Sequence, residues 1–280
     1  MKNELYRELS NFELKSDSIQ KIQNNLSEAI LGHTRTKMNI SPDGLFRARV
    51  INDIKETELN TPSSIWYPDW KTIPEKDHCF GRLTDKGKNF FYSSNELEAT
   101  IKELSPKDKD RILVGIFRPK FPGTKISSQF TGIESIRKTK IFSLLDDFSY
   151  ASEKDKVIEE FFSNKFQEKV EASEDYKYKL TIALSNILLK NPEIGCLVYP
   201  SVASNLRFVN FGIKPEIIDE HFYCSGMFTY IIKRDSKGYT LVPDEFSKKI
   251  IANGTEAKKF DVKWQTNSAN EKRIIKRYSL

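Results

Sequence analysis

The sequence predicts a mixed α+β chain, and three observations carry that prediction. Residues 45–51, Leu-Phe-Arg-Ala-Arg-Val-Ile, alternate apolar and basic side chains with the period of two that a strand requires. From Arg111 to Phe117 the chain is almost continuously apolar, which predicts a central strand. Residues 133–190 switch to helical spacing, most clearly in 155–169 and in 175–190, where Leu180, Ala183, Leu184, Ile187 and Leu188 share a stripe.

A chain of 280 residues with 38% hydrophobic and 30% charged positions can bury a sizeable core. It contains no run of about 18 apolar residues, so no membrane span is expected. The N-terminal stretch MKNELYRELSNFELKSD is too charged for a secretory signal. Cys79, Cys196 and Cys224 are widely spaced, odd in number and outside any CxxC, which predicts free thiols and a cytoplasmic location. The net charge is +6, and the last 23 residues carry most of the excess, with seven basic residues against two acidic ones. Such a tail is either a solvated end or a contact for nucleic acid or an acidic partner.

Taken in order, residues 1–32 predict one or two helices. Ser16 or Asp17 is placed to cap a segment whose Ile19, Ile22, Leu26 and Ile30 form an apolar stripe. That stripe must bury itself on the main domain or on a second copy of the chain. In 45–51, Arg47 and Arg49 fall on one side, either as a solvated edge or beside an anion. Residues 52–79 form a long connection whose Trp66 and Trp70 either pin it to the core or cover a ligand. Residues 118–132 are rich in Pro, Gly and Ser and predict a loop. Residues 196–199 and 205–211 predict neighbouring strands, and 227–233 with 239–242 a hairpin turning at Ser236-Lys237-Gly238.

The segment from Gly81 to Glu103 concentrates the chemistry. Gly81-Arg82 and Gly87 give a turn carrying a guanidinium, and the apolar stretch ending in Tyr92 predicts a strand. Asn95 with Glu98 has capping-box spacing, followed by Leu97, Ile101 and Leu104 on one helical stripe with Glu103 beside it. No metal site is expected, because His33, His78 and His221 are scattered without partners at ligand spacing. There is no Walker loop, GxGxxG, GxSxG or HExxH.

Five short matches in order complete the reading: Leu45-Phe46-Arg47, Gly81-Arg82 with Gly87, Tyr92-Ser93-Ser94, Glu98 through Glu103, and Tyr199-Pro200-Ser201. This pattern resembles the RES domain, a family of NAD-degrading toxins from bacterial toxin–antitoxin pairs. The resemblance covers residues 44–215, interrupted by the helical segment. It implies a domain at 41–215 with a helical insert near 133–190, an N-terminal helical extension at 1–40 and a C-terminal extension at 216–280. It also implies an ADP-ribosyltransferase-like fold, with a split mixed sheet around an NAD cleft.

The implied activity is that of an NAD phosphorylase or glycohydrolase, cleaving the nicotinamide–ribose bond with phosphate or water as acceptor. NAD would be a substrate, with no permanently bound cofactor, and the implied protein partner is a helix-turn-helix antitoxin. The residue types suit the chemistry, since arginine forks bind phosphate and a carboxylate lowers the barrier to an oxocarbenium-like state. By the resemblance, Arg47 and Arg82 clamp the pyrophosphate and Tyr92 stacks on nicotinamide. Glu103 faces the developing cation, and Ser201 donates to the ribose or orients Glu103. The rival readings are a mono-ADP-ribosyltransferase acting on protein and a nucleic-acid-binding module using the basic tail.

Overall fold

The computed structural model describes residues 2–68, 71, 73–75, 78–86, 88–139, 145, 148–236, 238–247, 262–266 and 276–279. In chain order these form α1 (Lys2–Ser10), α2 (Ile19–Ala29), β1 (Lys37–Ile40), β2 (Leu45–Val50), α3 (Glu56–Leu59), β3 (Phe91–Ser94), α4 (Leu97–Glu103), β4 (Arg111–Pro119) and β5 (Ile126–Phe130). There follow α5 (Ile133–Thr139), α6 (Glu153–Gln167), α7 (Tyr178–Leu188), β6 (Cys196–Pro200), β7 (Val209–Ile213), α8 (Pro215–His221), β8 (Phe222–Asp235), β9 (Gly238–Ser247), β10 (Trp264–Thr266) and β11 (Lys276–Ser279). Parallel and antiparallel pairings both occur, so the chain is mixed α+β. Among the described residues no helix is long and apolar enough to cross a membrane.

The chain forms two compact units, each assembled from three separated stretches. One comprises 1–40, 68–90 and 126–214; the other comprises 41–67, 91–125 and 215–280. Breaks between the units fall at 40/41 and 214/215, where the sequence places boundaries, but residues 41–214 are shared between both units, and the N-terminal helices and the 133–190 helices belong to the same one.

In the first unit β1 runs antiparallel to β5, β5 parallel to β6, and β6 antiparallel to β7. Strand β5 corrects the expected 118–132 loop. Ser18, not Ser16 or Asp17, caps α2, its Oγ accepting from the Lys21 amide at 3.2 Å. The stripe predicted for α2 buries Ile22, Leu26 and Ile30 against α7, within the same chain. Gly212 on β7 is required by close approach, because a Cβ there would lie 1.9 Å from the buried Leu83 side chain.

In the second unit the strand order is β3-β2-β4-β8-β9, with β10 and β11 both on β9. The apolar run 111–117 becomes β4, flanked on both sides by antiparallel partners, β2 and β8. The expected hairpin is β8–β9. A core of Ile101, Ile112, Val114, Ile232, Tyr239 and Leu241 lies between α4 and this sheet, with Phe46, Ala48, Leu97 and Leu104 packed against it. Of the basic tail, only 262–266 and 276–279 fall among the described residues, and Lys276 and Arg277 sit on β11.

Candidate functional site

Strand β2 organises the second unit's polar face. Its alternation sends Phe46 and Ala48 into the core beneath α4 and Arg47 and Arg49 to the opposite face. Phe46 pairs with Ser94 on β3, and Leu45–Val50 pair with β4, so β2 is no edge strand. The solvated-edge reading is therefore corrected at Arg47, while Arg49 remains exposed.

Arg47 is half-buried, and its Nη1 donates to the Tyr92 carbonyl at 2.9 Å. The guanidinium carbon lies 5.3 Å from the Phe91 ring centroid, within cation–π range. Its Nε is shut off from solvent without a hydrogen-bond partner, and among the described residues no carboxylate pairs with this charge. Burial, and then the neighbouring Arg49 charge, push the Arg47 guanidinium down to about 10, which still leaves it cationic at neutral pH. The Tyr92 phenol is close enough to pull in the other direction. The structure thus brings Arg47 and Tyr92 together.

Arg49 is exposed, and its Nη1 donates to the Ser64 carbonyl at 2.7 Å. Burial of part of the guanidinium lowers its pKa, and the charge of nearby Glu58 opposes the shift. Behind both arginines is an aromatic wall in which Phe91 and Phe117 meet edge-on at 4.6 Å and Trp66 and Phe117 at 4.9 Å. Gly115, opposite Arg47, lets this wall close, since a Cβ there would lie 2.8 Å from Ile65 and 2.9 Å from Phe117.

Trp66 is 6% exposed, and its indole Nε1 donates to Asp219 Oδ1 at 2.8 Å. The Tyr67 hydroxyl donates to the other Asp219 oxygen, and Lys120 donates to the Asp219 carbonyl. Trp66 therefore pins the 52–79 connection to the core, and Trp70 lies outside the described residues. Asp219 was invisible in sequence because its aromatic partners lie about 150 positions away.

Glu103 is the exposed last residue of α4, the helix that covers the Phe46 face of β2. The structure does not bring it to Arg47. The expected capping box is also absent: Glu96 is the N-cap residue of α4, without a side-chain cap, and the Ser94 hydroxyl accepts from the Glu96 amide. On the buried flank of α4, Lys102 pairs with Glu98 at 3.2 Å, with side chains 7% and 17% exposed. That pair was also missed, since both residues read as ordinary helix-surface charges.

Arg82 and Ser201 belong to the first unit. Arg82 Nη1 donates to the Phe166 carbonyl at 2.8 Å and Nη2 to the Glu168 carbonyl at 3.1 Å. Its guanidinium also lies over the Tyr178 ring. These are the open carbonyls at the end of α6, so Arg82 is engaged as a helix cap instead of being held out for phosphate. Gly81 and Thr84 exchange backbone hydrogen bonds across the turn that holds Arg82, and Gly87 lies outside the described residues. Ser201 is fully buried; its amide donates to the Phe208 carbonyl, and its own carbonyl accepts from Ser204 Oγ.

Among the described residues no group of three or more His, Cys, Asp or Glu side chains could hold a metal ion. No protein-family model matches the chain, and no curated protein matches it.

Proposed function

We propose that the chain is an NAD-degrading enzyme of the ADP-ribosyltransferase-like type that cleaves the nicotinamide–ribose bond. The observation that carries this reading is Arg47. A half-buried cation beside Tyr92, with its Nε unpartnered and no carboxylate paired to it among the described residues, suits an anionic ligand better than it suits the fold. The resemblance of the short motifs to the RES domain implies a dinucleotide as that ligand.

In the proposed reaction the C–N bond to nicotinamide breaks, and the bonding pair leaves with the pyridine ring. Phosphate attacking the ribose carbon gives ADP-ribose 1″-phosphate; water gives ADP-ribose and a proton. Tyr92 is assigned to the nicotinamide ring. The resemblance to the RES domain implies Glu103 as the cation-stabilising carboxylate, although α4 seats it on the other face of β2 from Arg47. Depletion of NAD would make such a protein toxic, with a helix-turn-helix antitoxin as its partner.

The test is nicotinamide release from NAD by the purified full chain, with and without phosphate, beside a Glu103→Ala variant. Release that needs phosphate supports the phosphorylase form, and phosphate-independent release supports the hydrolase. ADP-ribose found on a protein instead supports the transferase. Full activity in Glu103→Ala removes Glu103 from the mechanism. No release under any condition overturns the reading.

A further inference from the structure

We infer that Arg49 completes the anion clamp with Arg47, taking the second phosphate of the substrate's pyrophosphate, the role that motif order gives to Arg82. This rests on the proposal that the β2 face receives a dinucleotide. Four observations support it. First, Arg47 and Arg49 project from the same face of β2 two residues apart, roughly 7 Å along a strand. Second, the two cations lie close enough for Arg49 to weigh on the Arg47 charge, and each guanidinium donates to a single backbone carbonyl; Glu58 acts on the Arg49 charge but makes no salt-bridge contact with it among the described residues. Like charges set side by side in the interior of a sheet repel, and a bound dianion reverses that penalty.

Third, Arg82 has its donors occupied by the Phe166 and Glu168 carbonyls and its face over Tyr178, leaving it poorly placed to receive phosphate. Fourth, exposure grades along β2, from a half-buried Arg47 to an exposed Arg49. A ligand can enter past Arg49 and be gripped at Arg47. Arg49 therefore contributes to binding and orienting the phosphates and is not assigned a part in breaking the glycosidic bond.

Inorganic pyrophosphate and ADP-ribose, titrated calorimetrically into the full chain, test this directly. The set is wild type, Arg49→Gln, Arg49→Lys and Arg111→Gln, the last removing from the neighbouring strand β4 a charge already paired with Asp244 and Glu245. Arg49→Gln is expected to weaken both ligands by about tenfold or more, the usual loss for a hydrogen bond to a charged group. Arg49→Lys should recover part of that loss, keeping the charge without the fork, and Arg111→Gln should bind like wild type. Unchanged thermal unfolding midpoints will show that the variants fold.

Pyrophosphate and ADP-ribose binding that is equal in wild type and Arg49→Gln overturns the inference. So does an equal loss in Arg111→Gln, which would reduce the effect to overall charge. If wild type binds pyrophosphate through Arg49 but releases no nicotinamide from NAD, the clamp stands and the proposed reaction fails. If NAD is cleaved equally by wild type and Arg49→Gln, the reaction stands and the clamp fails.

Discussion

Two groups of charge in this molecule are treated in opposite ways. In the first unit, His33 sits between two carboxylates of α6, with Nδ1 2.8 Å from Asp155 and Nε2 3.2 Å from Glu159, all three side chains nearly inaccessible. Asp155 also accepts from the Thr34 amide and the Ser152 hydroxyl. In the second unit, Arg47 meets only the Tyr92 carbonyl and the Phe91 ring, and Arg49 meets the Ser64 carbonyl with the charge of Glu58 nearby. The first arrangement supplies hydrogen-bond partners for all three groups, Glu159 Oε2 excepted, and ties the segment after α2 to α6. The second leaves its counter-charge to come from outside the described residues. A cluster complete in itself reads as architecture, and an incomplete one reads as a site.

The largest effect should come from breaking the complete cluster. His33→Ala leaves the buried Asp155 and Glu159 carboxyl groups without the imidazole that bridges them and is expected to cost about 3 kcal/mol of stability, measured by denaturant unfolding. Pyrophosphate binding by the protein that remains folded should not change. A cost below about 1 kcal/mol, the level of a surface pair, would erase the contrast.

Next in size, Arg47→Met should reduce kcat/KM for NAD by about ten- to a hundredfold, while the unfolding midpoint stays level or rises. Removing a partly buried charge that lacks a counter-charge relieves a desolvation cost, so function and stability should part at this position. A loss of stability equal to that of His33→Ala would place Arg47 among the architectural charges.

The pH dependence of stability sharpens the same contrast. Burial works to raise the Asp155 pKa, but hydrogen bonds from Ser152, the Thr34 amide and His33 outweigh it and hold the carboxyl below its ordinary 3.8. A depressed acid contributes stability that is present above 3.8 and lost as pH falls through the folded value. Burial raises Glu159 above its ordinary 4.5, against the pull of His33. Its contribution has the reverse sign, present below 4.5 and lost as pH rises through the folded value. Unfolding midpoints measured against pH should therefore lose part of their acid limb in Asp155→Asn and part of their higher-pH decline in Glu159→Gln. Parallel curves for both variants and wild type would show that the cluster is not coupled to folding.

The smallest effect is expected at Arg111, which meets Asp244 at 2.9 Å and Glu245 at 2.7 Å near the surface. Arg111→Ala should cost about 1 kcal/mol or less. A larger loss would mean that paired charge near the surface carries as much weight here as paired charge in the interior.

Local pattern made much of the fold legible. The period of two in 45–51 and the apolar run at 111–117 became β2 and β4, because each strand's burial is written in its own side chains. The helical spacing of 155–169 and 175–190 likewise became α6 and α7. Strand β5 was hidden behind Pro119, Pro122 and Gly123, and three of its five residues, Ser127, Ser128 and Gln129, are polar. Partners at long range were not legible: His33 finds Asp155 and Glu159 more than 120 positions away, and Arg82 finds the end of α6 more than 80 away. The interleaving of the two units from three stretches each left no local signal either. Within the candidate site, Arg47 and Tyr92 came together as the motif order suggested, because β2 and β3 are neighbours. Glu103 did not join them: the apolar stripe that makes α4 a helix also seats it on the other face of β2.

Nicotinamide release by Arg47→Met, set against wild type at equal folded concentration, bears most directly on the claim that this cation is kept for a ligand. Steady release by wild type and a fall of at least about tenfold in the variant, with the unfolding midpoint preserved, is the predicted result. Equal release by both proteins would contradict it.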